Sequence, residues 1–194
     1  MPLTQGKLII ISSPSGGGKD SVIRELLKTF PRSTRLVTTT SRPPRPGNTE
    51  GVDYHFVSKD QFTKQINNNE FLEYNVYAGN YYGTEKAKLD ILLEQYDLVF
   101  TQIEVNGKHN LDKKEVSNIS IFLLPENLEI LKKRIQRRGG LTAEIIEERL
   151  KTAKNEIEVS SDYDYRVVNK DGKIMETVNE IAVIIRNILT KNDK

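Results

Sequence analysis

A run of small and charged side chains near the N-terminus has the composition of a phosphate-binding loop. It reads Ser12-Ser13-Pro14-Ser15-Gly16-Gly17-Gly18-Lys19-Asp20-Ser21. Consecutive glycines let the backbone curl so that several N–H groups point into one concavity, which suits an anion. Lys19 would place a positive charge on the outer phosphates of a nucleotide. The chemistry that this loop favours is therefore the binding of nucleotide phosphates.

The segments on either side of the loop fit this interpretation. Residues 8–11 are a short apolar run of the kind that a buried parallel strand needs. The apolar residues after the loop are Val22, Ile23, Leu26 and Leu27. Their helical spacing predicts a helix, which adds its positive N-terminal end to the loop. The simpler interpretation, a glycine-rich turn capped by polar residues, does not account for this strand–turn–helix order.

Length and charge limit the possible functions. A chain of 194 residues is one ordinary domain, or one core with small inserts. The 29 basic and 27 acidic residues nearly balance, which argues against a nucleic-acid partner. The sequence has no cysteine, so no disulfide or thiolate metal site is expected. No apolar run reaches membrane-spanning length and the N-terminus lacks the apolar core of a signal peptide, so we expect a cytoplasmic protein without a membrane partner.

Strand-like apolar runs alternate with helical patterns over much of the chain. The core strands are predicted at 8–11, 97–104, 119–124 and 165–169. Thr142 is expected to cap one of the helices between them. Alternation of this kind predicts a parallel sheet with right-handed crossovers. The ligand site of such a sheet lies at the carboxyl ends of its strands, where Ser13, Gln102 and Glu104 fall.

A β-rich insert interrupts this pattern from about residue 38 to 84. Residues 41–47 cannot be regular structure, because three prolines stiffen them and hold Arg42 and Arg45 a fixed distance apart. Ser58 and Gln61 form a capping-box pattern at the start of a short helix. Strands or β-prone segments are predicted at 36–40, 51–57, 70–74 and 77–82.

With its loop and its insert taken together, the chain resembles guanylate kinases. The family pattern has an arginine pair, a glycine, Asp-Tyr and then Asn-Tyr-Tyr-Gly. The matching residues, in the same order and at matching separations, are Arg42, Arg45, Gly47, Asp53-Tyr54 and Asn80-Tyr81-Tyr82-Gly83. The resemblance covers nearly the whole chain.

The resemblance implies an α/β fold: a three-layer P-loop kinase core with a parallel sheet, an inserted β-rich GMP-binding domain and a helical lid. The core would comprise residues 1–37, 86–127 and 160–194, the GMP-binding domain 38–85 and the lid 128–159. The implied reaction transfers the γ-phosphoryl group of ATP to GMP or dGMP, as part of purine nucleotide metabolism. ATP and GMP would be the substrates, Mg²⁺ the cofactor as Mg-ATP, and the protein a monomer or homodimer.

The acceptor of this reaction is a phosphate oxygen that is already anionic at neutral pH, so no general base is needed. The obstacle is repulsion between two polyanions, on which positive groups must converge. As catalytic residues the resemblance implies Lys19, Arg134, Arg138 and Arg149. The alternative for any one lid arginine is a position on a solvated helix face. For the neighbouring Lys132 and Lys133, a solvated helix face is the preferred interpretation. His55 and His109 are given no role.

The resemblance also assigns the substrate contacts. Those for ATP are Ser13, Pro14, Ser15, Gly16, Gly17, Gly18, Lys19, Asp20, Ser21 and Asn169. Those for GMP are Thr38, Arg42, Arg45, Tyr54, Glu73, Tyr82, Gly83, Thr84 and Glu104. Arginine suits the GMP phosphate because its planar fork binds phosphate oxygens bidentately.

Among these, Glu73 is implied to select guanine, whose N1–H and N2–H₂ groups are adjacent donors that one carboxylate accepts together. Adenine lacks both donors and would leave the carboxylate unpaired, a mismatch that can cost several orders of magnitude in specificity. The alternative is an exposed carboxylate on a strand. The apolar neighbours Leu72 and Tyr74 argue against that alternative.

Two positions near the expected magnesium site depart from the family pattern. Asp20 follows Lys19 where Ser, Thr or Gly is usual, and Gln102 replaces the first of two acids at the end of the central strand. We expect the two positions to lie close together, so that acidic charge has moved to Asp20 and supports Mg²⁺. The simpler role for Asp20 is to stabilise the start of its helix.

Two other functions remain open. Gly-Lys-Asp-Ser also occurs in a related kinase that phosphorylates ribose 1,5-bisphosphate, which is expected to lack the complete GMP domain. Guanylate-kinase-like modules of scaffolding proteins bind phosphopeptides without catalysis, and they lose the glycine-rich loop and the lid arginines. This chain has both of those features and the insert.

Overall fold

The computed structural model of the protein describes residues 5–77, 79–137 and 140–191. Backbone contacts divide the chain into two units. Unit 1 comprises Met1–Ile10 and Arg32–Ile119, and unit 2 comprises Ile11–Pro31 and Ser120–Lys194. The division into core, GMP-binding domain and lid stays a prediction.

Strands and helices alternate along the described residues, as the sequence predicts for an α/β fold. The strands are β1 (Lys7–Ser12), β2 (Ser33–Arg35), β3 (Thr39–Thr40), β4 (His55–Phe56), β5 (Phe71–Tyr77), β6 (Asn80–Glu85), β7 (Leu98–Gln102), β8 (Ile119–Pro125) and β9 (Tyr165–Asn169). The helices are α1 (Lys19–Thr29), α2 (Lys59–Asn67), α3 (Lys86–Gln95), α4 (Val105–Lys113), α5 (Leu128–Arg137), α6 (Ala143–Val159) and α7 (Ile174–Lys191). Strand β1 contributes residues to both units.

In unit 1, strands in the order β2-β7-β1 carry the core. β2 and β7 are parallel, with Ser33 opposite Leu98. These strands and their neighbours bury one apolar cluster, formed by Leu8, Ile10, Leu36, Leu89, Val99, Ile103 and Leu111. Burial on both faces explains why the strands read as unbroken apolar runs.

A second sheet in unit 1 has the order β4-β3-β6-β5. Stacked rings attach α2 to it, since the centroid of the Phe62 ring lies 4.3 Å from that of Phe71 and 5.1 Å from that of Tyr81. The predicted capping box at the start of α2 is confirmed. The Ser58 N–H donates to Gln61 Oε1 at 2.9 Å, and the Gln61 N–H donates to Ser58 Oγ at 3.1 Å.

Two strands of the insert are shorter than predicted. The expected strand at 51–57 is reduced to His55–Phe56, because the residues before it form a turn. Two N–H groups of that turn donate to the Thr49 carbonyl at 3.2 and 3.0 Å. Backbone groups that are paired locally cannot extend a strand ladder. The β-prone segment at 36–40 forms a strand only at Thr39–Thr40.

Helix α4 is absent from the sequence-based prediction. The strand expected at 97–104 ends at Gln102, and a helix follows. Asn106, Gly107 and Asn110 have low helix propensity, so no helical pattern is visible in the sequence. The helix forms nevertheless because tertiary packing buries one of its faces. The buried apolar residues of that face are Val105 and Leu111.

In unit 2 the strand order is β1-β8-β9, and β8 is parallel to β9, with Leu123 opposite Val167. Helices α5 and α6 share an apolar cluster of Leu131, Ile135, Ile146 and Ala153. The predicted cap of α6 is confirmed, because the Ile145 N–H donates to Thr142 Oγ1 at 3.4 Å. None of the helices among the described residues has the length and apolar character needed to cross a membrane.

Candidate active site

The glycine-rich loop, Ser13 to Gly18, connects β1 to α1 in unit 2. Gly16 and Gly18 have φ angles of +88° and +92°, which residues with side chains rarely adopt. The Gly17 N–H donates to the Pro14 carbonyl at 2.9 Å, and a Cβ on Gly17 would collide with Ser13 Oγ. The three glycines therefore permit a tight turn at the N-terminus of a helix, where anions bind well.

Lys19, the first residue of α1, folds its side chain back over the loop. Its Nζ donates to the Ser13 carbonyl at 2.7 Å and to Ser13 Oγ at 3.3 Å. These bonds keep the ammonium group beside the loop, where a positive charge can attract phosphate oxygens. Asp20 and Ser21 follow in the first turn of α1, with Asp20 exposed and Ser21 half-buried.

Asn169, at the end of β9, fixes the loop through its side chain. Its Nδ2 donates to the Gly17 carbonyl at 2.8 Å, and its Oδ1 accepts from Thr177 Oγ1 at 3.0 Å. Only glycine fits at position 18 for this reason as well, because a Cβ there would lie 2.7 Å from Asn169 Nδ2. The sequence-predicted contact Asn169 thus lies against the loop, and Thr177 orients it.

Arg134, on α5, is held near the end of β9. Its Nε donates to Asp171 Oδ1 at 3.0 Å, and its Nη2 donates to the Asn169 carbonyl at 3.1 Å. A pocket of about 230 Å³ lies here within unit 2. Its lining includes loop glycines, Arg134 and residues 169–172.

Arg149, on α6, also contacts the loop, since its Nη1 lies 3.4 Å from Ser15 Oγ. The structure therefore brings two of the predicted catalytic arginines to residues that the sequence assigns to ATP. The remaining one, Arg138, lies outside the described residues.

The arginine loop, residues 41–48, carries the predicted ligands of the GMP phosphate in unit 1. The guanidinium of Arg42 lies 5.4 Å from the centroid of the Tyr54 ring and donates from Nη2 to Asn48 Oδ1 at 3.0 Å. The same Asn48 oxygen accepts the Arg45 N–H at 3.0 Å. Asn48 thus connects the backbone of one arginine with the side chain of the other.

Glu73 is only 5 % exposed and lies in β5 opposite Thr84 of β6. Thr84 Oγ1 donates to Glu73 Oε1 at 2.6 Å. The pKa of the Glu73 carboxyl is raised from the usual 4.5 to about 7, mainly by burial and to a smaller extent by the negative charge of Glu104, whereas the Thr84 hydroxyl and the Lys114 charge act against the rise. The alternative of an exposed strand carboxylate is therefore excluded, and a buried group that can accept donors lies in the second sheet.

The other predicted GMP contacts lie in unit 1 as well. The Tyr82 and Tyr54 rings meet edge to face, with centroids 5.8 Å apart. Thr38 is buried just before β3, and Glu104 is half-buried just before α4. Gly83 lies in β6, where a Cβ would approach the aromatic rings beneath it to 2.8 Å.

The residues around the loop offer one carboxylate of the kind that a nucleotide-bound magnesium ion requires. Within the described ranges, no three His, Cys, Asp or Glu side chains cluster closely enough to hold a metal ion. Mg²⁺ at nucleotide sites needs only one or two carboxylates besides the substrate phosphates and waters. Asp20, directly after the loop lysine, supplies an oxygen donor of that kind.

A family model described as guanylate kinase matches residues 5–188. The chain belongs to the guanylate kinase family. Similar members are the guanylate kinases of Mannheimia succiniciproducens, 44 % identical over 87 % of this chain and 83 % of that protein, and of Lactobacillus johnsonii, 43 % identical over 93 % and 88 %. The crystal structure of guanylate kinase from Anaplasma phagocytophilum matches with a TM-score of 0.76 at 29 % identity, over 96 % of this chain and 88 % of that one. The resemblance and the α/β fold inferred from the sequence are thereby confirmed.

Several residues that hold the predicted contacts are not predicted from the sequence. Asp171 holds Arg134, Thr177 holds Asn169, and Asn48 holds the arginine loop. Each of these hydrogen bonds joins residues that are separated in the sequence or that meet in a turn. Composition and motif spacing therefore do not predict them. Only the succession of Gly47 and Asn48 after proline could have indicated a turn there.

Proposed function

We propose that this protein transfers the γ-phosphoryl group of ATP to GMP, and also to dGMP, giving ADP and the corresponding diphosphate. The observation that carries the proposal is the buried Glu73 carboxyl, which accepts a hydrogen bond from Thr84 through one oxygen. Guanine offers two adjacent donors to such a group, and adenine does not. Membership of the guanylate kinase family supports the same conclusion.

For ATP, the proposed binding groups are the amides of the glycine-rich loop, Lys19 and Asn169. Lys19 lies beside the loop carbonyl of Ser13 and would direct its charge to the outer phosphates. Arg149 lies 3.4 Å from Ser15 Oγ, so its charge is available next to the loop. Arg134 and Arg138 would add positive charge to the transferring group.

For GMP, the proposed phosphate ligands are Arg42, Arg45, Tyr54 and Tyr82. The contacts of Arg42 with Tyr54 and Asn48 limit its motion before the substrate binds, which lowers the entropy cost of binding. Thr38, Gly83, Thr84 and Glu104 would surround the base together with Glu73. The acceptor oxygen is anionic, so these residues bind and orient it and no residue has to remove a proton.

A magnesium ion bound with ATP would neutralise part of the phosphate charge. We propose that the Asp20 carboxylate holds it, either directly or through a water molecule. We further propose a cytoplasmic location in purine nucleotide metabolism, a monomer or homodimer, and no nucleic-acid partner.

A coupled assay of ADP release with ATP and Mg²⁺ tests the proposal. We expect turnover with GMP, much less with AMP and none with ribose 1,5-bisphosphate. Lys19→Met should abolish turnover, whereas Lys28→Met, on the exposed end of the same helix, should not. Faster turnover with ribose 1,5-bisphosphate would instead identify a sugar-phosphate kinase. Phosphopeptide binding without any turnover would identify a non-catalytic module.

A further inference from the structure

Helix α4 carries a glycine directly beside Glu73 in unit 1. Gly107 is buried within this helix. A Cβ built on it would lie 2.8 Å from Glu73 Oε2 and 3.3 Å from Glu73 Cδ, and it would collide with the Ile103 side chain. Real Cβ atoms essentially never come within 3.0 Å of another heavy atom. The Glu73 carboxylate therefore occupies space that any other residue type at position 107 would take.

The backbone itself does not require glycine at this position. Gly107 is absent from the residues with positive φ among those described, so its conformation is open to any residue. Within a helix, alanine is more favourable than glycine. The space that Glu73 and Ile103 fill is therefore the physical reason for the glycine.

We propose that Gly107 is a positioning residue for the recognition of guanine. Thr84 fixes one oxygen of Glu73 at 2.6 Å, and the missing side chain of Gly107 leaves room for the other. Together they hold the carboxylate plane in the orientation from which it accepts the adjacent N1–H and N2–H₂ donors. This inference rests on the proposed function, because it concerns the base of the acceptor nucleotide.

The variant Gly107→Ala tests the proposal, with GMP and IMP as acceptors. IMP keeps N1–H but lacks the 2-amino group, so the preference for GMP over IMP reports on the second donor. We expect the KM for GMP to rise about tenfold or more and the preference over IMP to fall, with kcat and the KM for ATP changed less than about twofold. Asn106→Ala, at the exposed neighbouring position of α4, is the matched control and should behave as the wild type.

A double-mutant cycle separates positioning from general disturbance of the helix. Where Glu73→Ala has already removed the carboxylate and the atoms that would meet the new methyl group, Gly107→Ala should change the GMP specificity constant less than about threefold. Effects that multiply in the double variant would overturn the proposal, because they would show that Gly107 acts independently of Glu73. A folded Gly107→Ala variant with wild-type KM and wild-type preference for GMP would overturn it too.

Thermal unfolding is measured first for every variant. If Gly107→Ala is unfolded, Glu73→Asp with Gly107→Ala should refold, because the shorter side chain withdraws the carboxylate from the new methyl group. Failure of that rescue would assign the collision to Ile103 and overturn the role in positioning Glu73. A wild-type protein that does not phosphorylate GMP would overturn the proposed function itself, which is a separate outcome from a wild-type-like Gly107→Ala variant.

Discussion

At the scale of single residues, the predicted contacts depend on partners that fix them before any substrate is present. Asn169 is held by Thr177, and Arg42 by Asn48. Glu73 differs from these, because its carboxyl is buried at a cost and its pKa rises to about 7. A titratable group whose burial lowers the stability of the folded protein is typical of a functional site.

Replacing Glu73 by Gln should therefore stabilise the protein without substrate. The folded-state pKa of about 7 exceeds the ordinary 4.5, so the stability linked to Glu73 is complete below about pH 4.5 and is lost as the pH rises through about 7. Glutamine cannot ionise and keeps that stability. At about pH 8 we expect the free energy of unfolding of Glu73→Gln to exceed that of the wild type by on the order of 3 kcal/mol, with no difference near pH 4.

Urea unfolding at the two pH values measures this difference. Glu50→Gln is a control of opposite sign, because a hydrogen bond from the Phe56 N–H lowers the pKa of the Glu50 carboxyl. The stability linked to Glu50 is present above its ordinary pKa and is lost as the pH falls, so Glu50→Gln should be destabilised at neutral pH. A Glu73→Gln variant less stable than the wild type at about pH 8 would contradict the account of its burial.

Asp20 allows a second test at this scale. If its carboxylate holds magnesium, Asp20→Ser should raise the Mg²⁺ concentration needed for half-maximal activity about tenfold or more. A role only at the start of α1 predicts lower stability and an unchanged magnesium requirement. Activity titrated against Mg²⁺, with the melting temperature measured alongside, distinguishes the two roles.

At the scale of the elements, the sequence predicts what local patterns determine. The apolar run before the loop, the capping box at Ser58 and the cap at Thr142 all form as expected. Helix α4 is not predictable in this way, because tertiary burial rather than propensity stabilises it. The contact of Gly107 with Glu73 cannot be predicted from the sequence either, because residues so far apart in the chain form no local sequence pattern.

Helix α6 presents Arg149 to the glycine-rich loop, which gives a prediction for the element. If its charge acts mainly on the transition state, as we propose, Arg149→Met should lower kcat more than it raises the KM for GMP. Lys151→Met, at an exposed position of the same helix, is the matched control and should leave both constants nearly unchanged. Unaltered kcat together with weaker substrate affinity in Arg149→Met would show that Arg149 serves only in binding.

At the scale of the whole molecule, the proposed contacts divide by unit. Those proposed for ATP lie in unit 2, and those proposed for GMP lie in unit 1. The order of these motifs along the chain is a property of the sequence, which is why the family could be inferred from residues alone. The hydrogen-bond partners that hold each side chain depend on the folded backbone, so the spacing of the motifs does not predict them.

The central claim is that the protein phosphorylates GMP and selects it through Glu73. The most direct measurement is kcat/KM for GMP and for AMP, in the wild type and in Glu73→Gln, with the diphosphate products identified. We expect the wild type to prefer GMP by several orders of magnitude and the variant to lose at least about tenfold in kcat/KM for GMP, without a comparable loss for AMP. Equal values for GMP in the two proteins, or a wild type that does not distinguish GMP from AMP, would contradict the account.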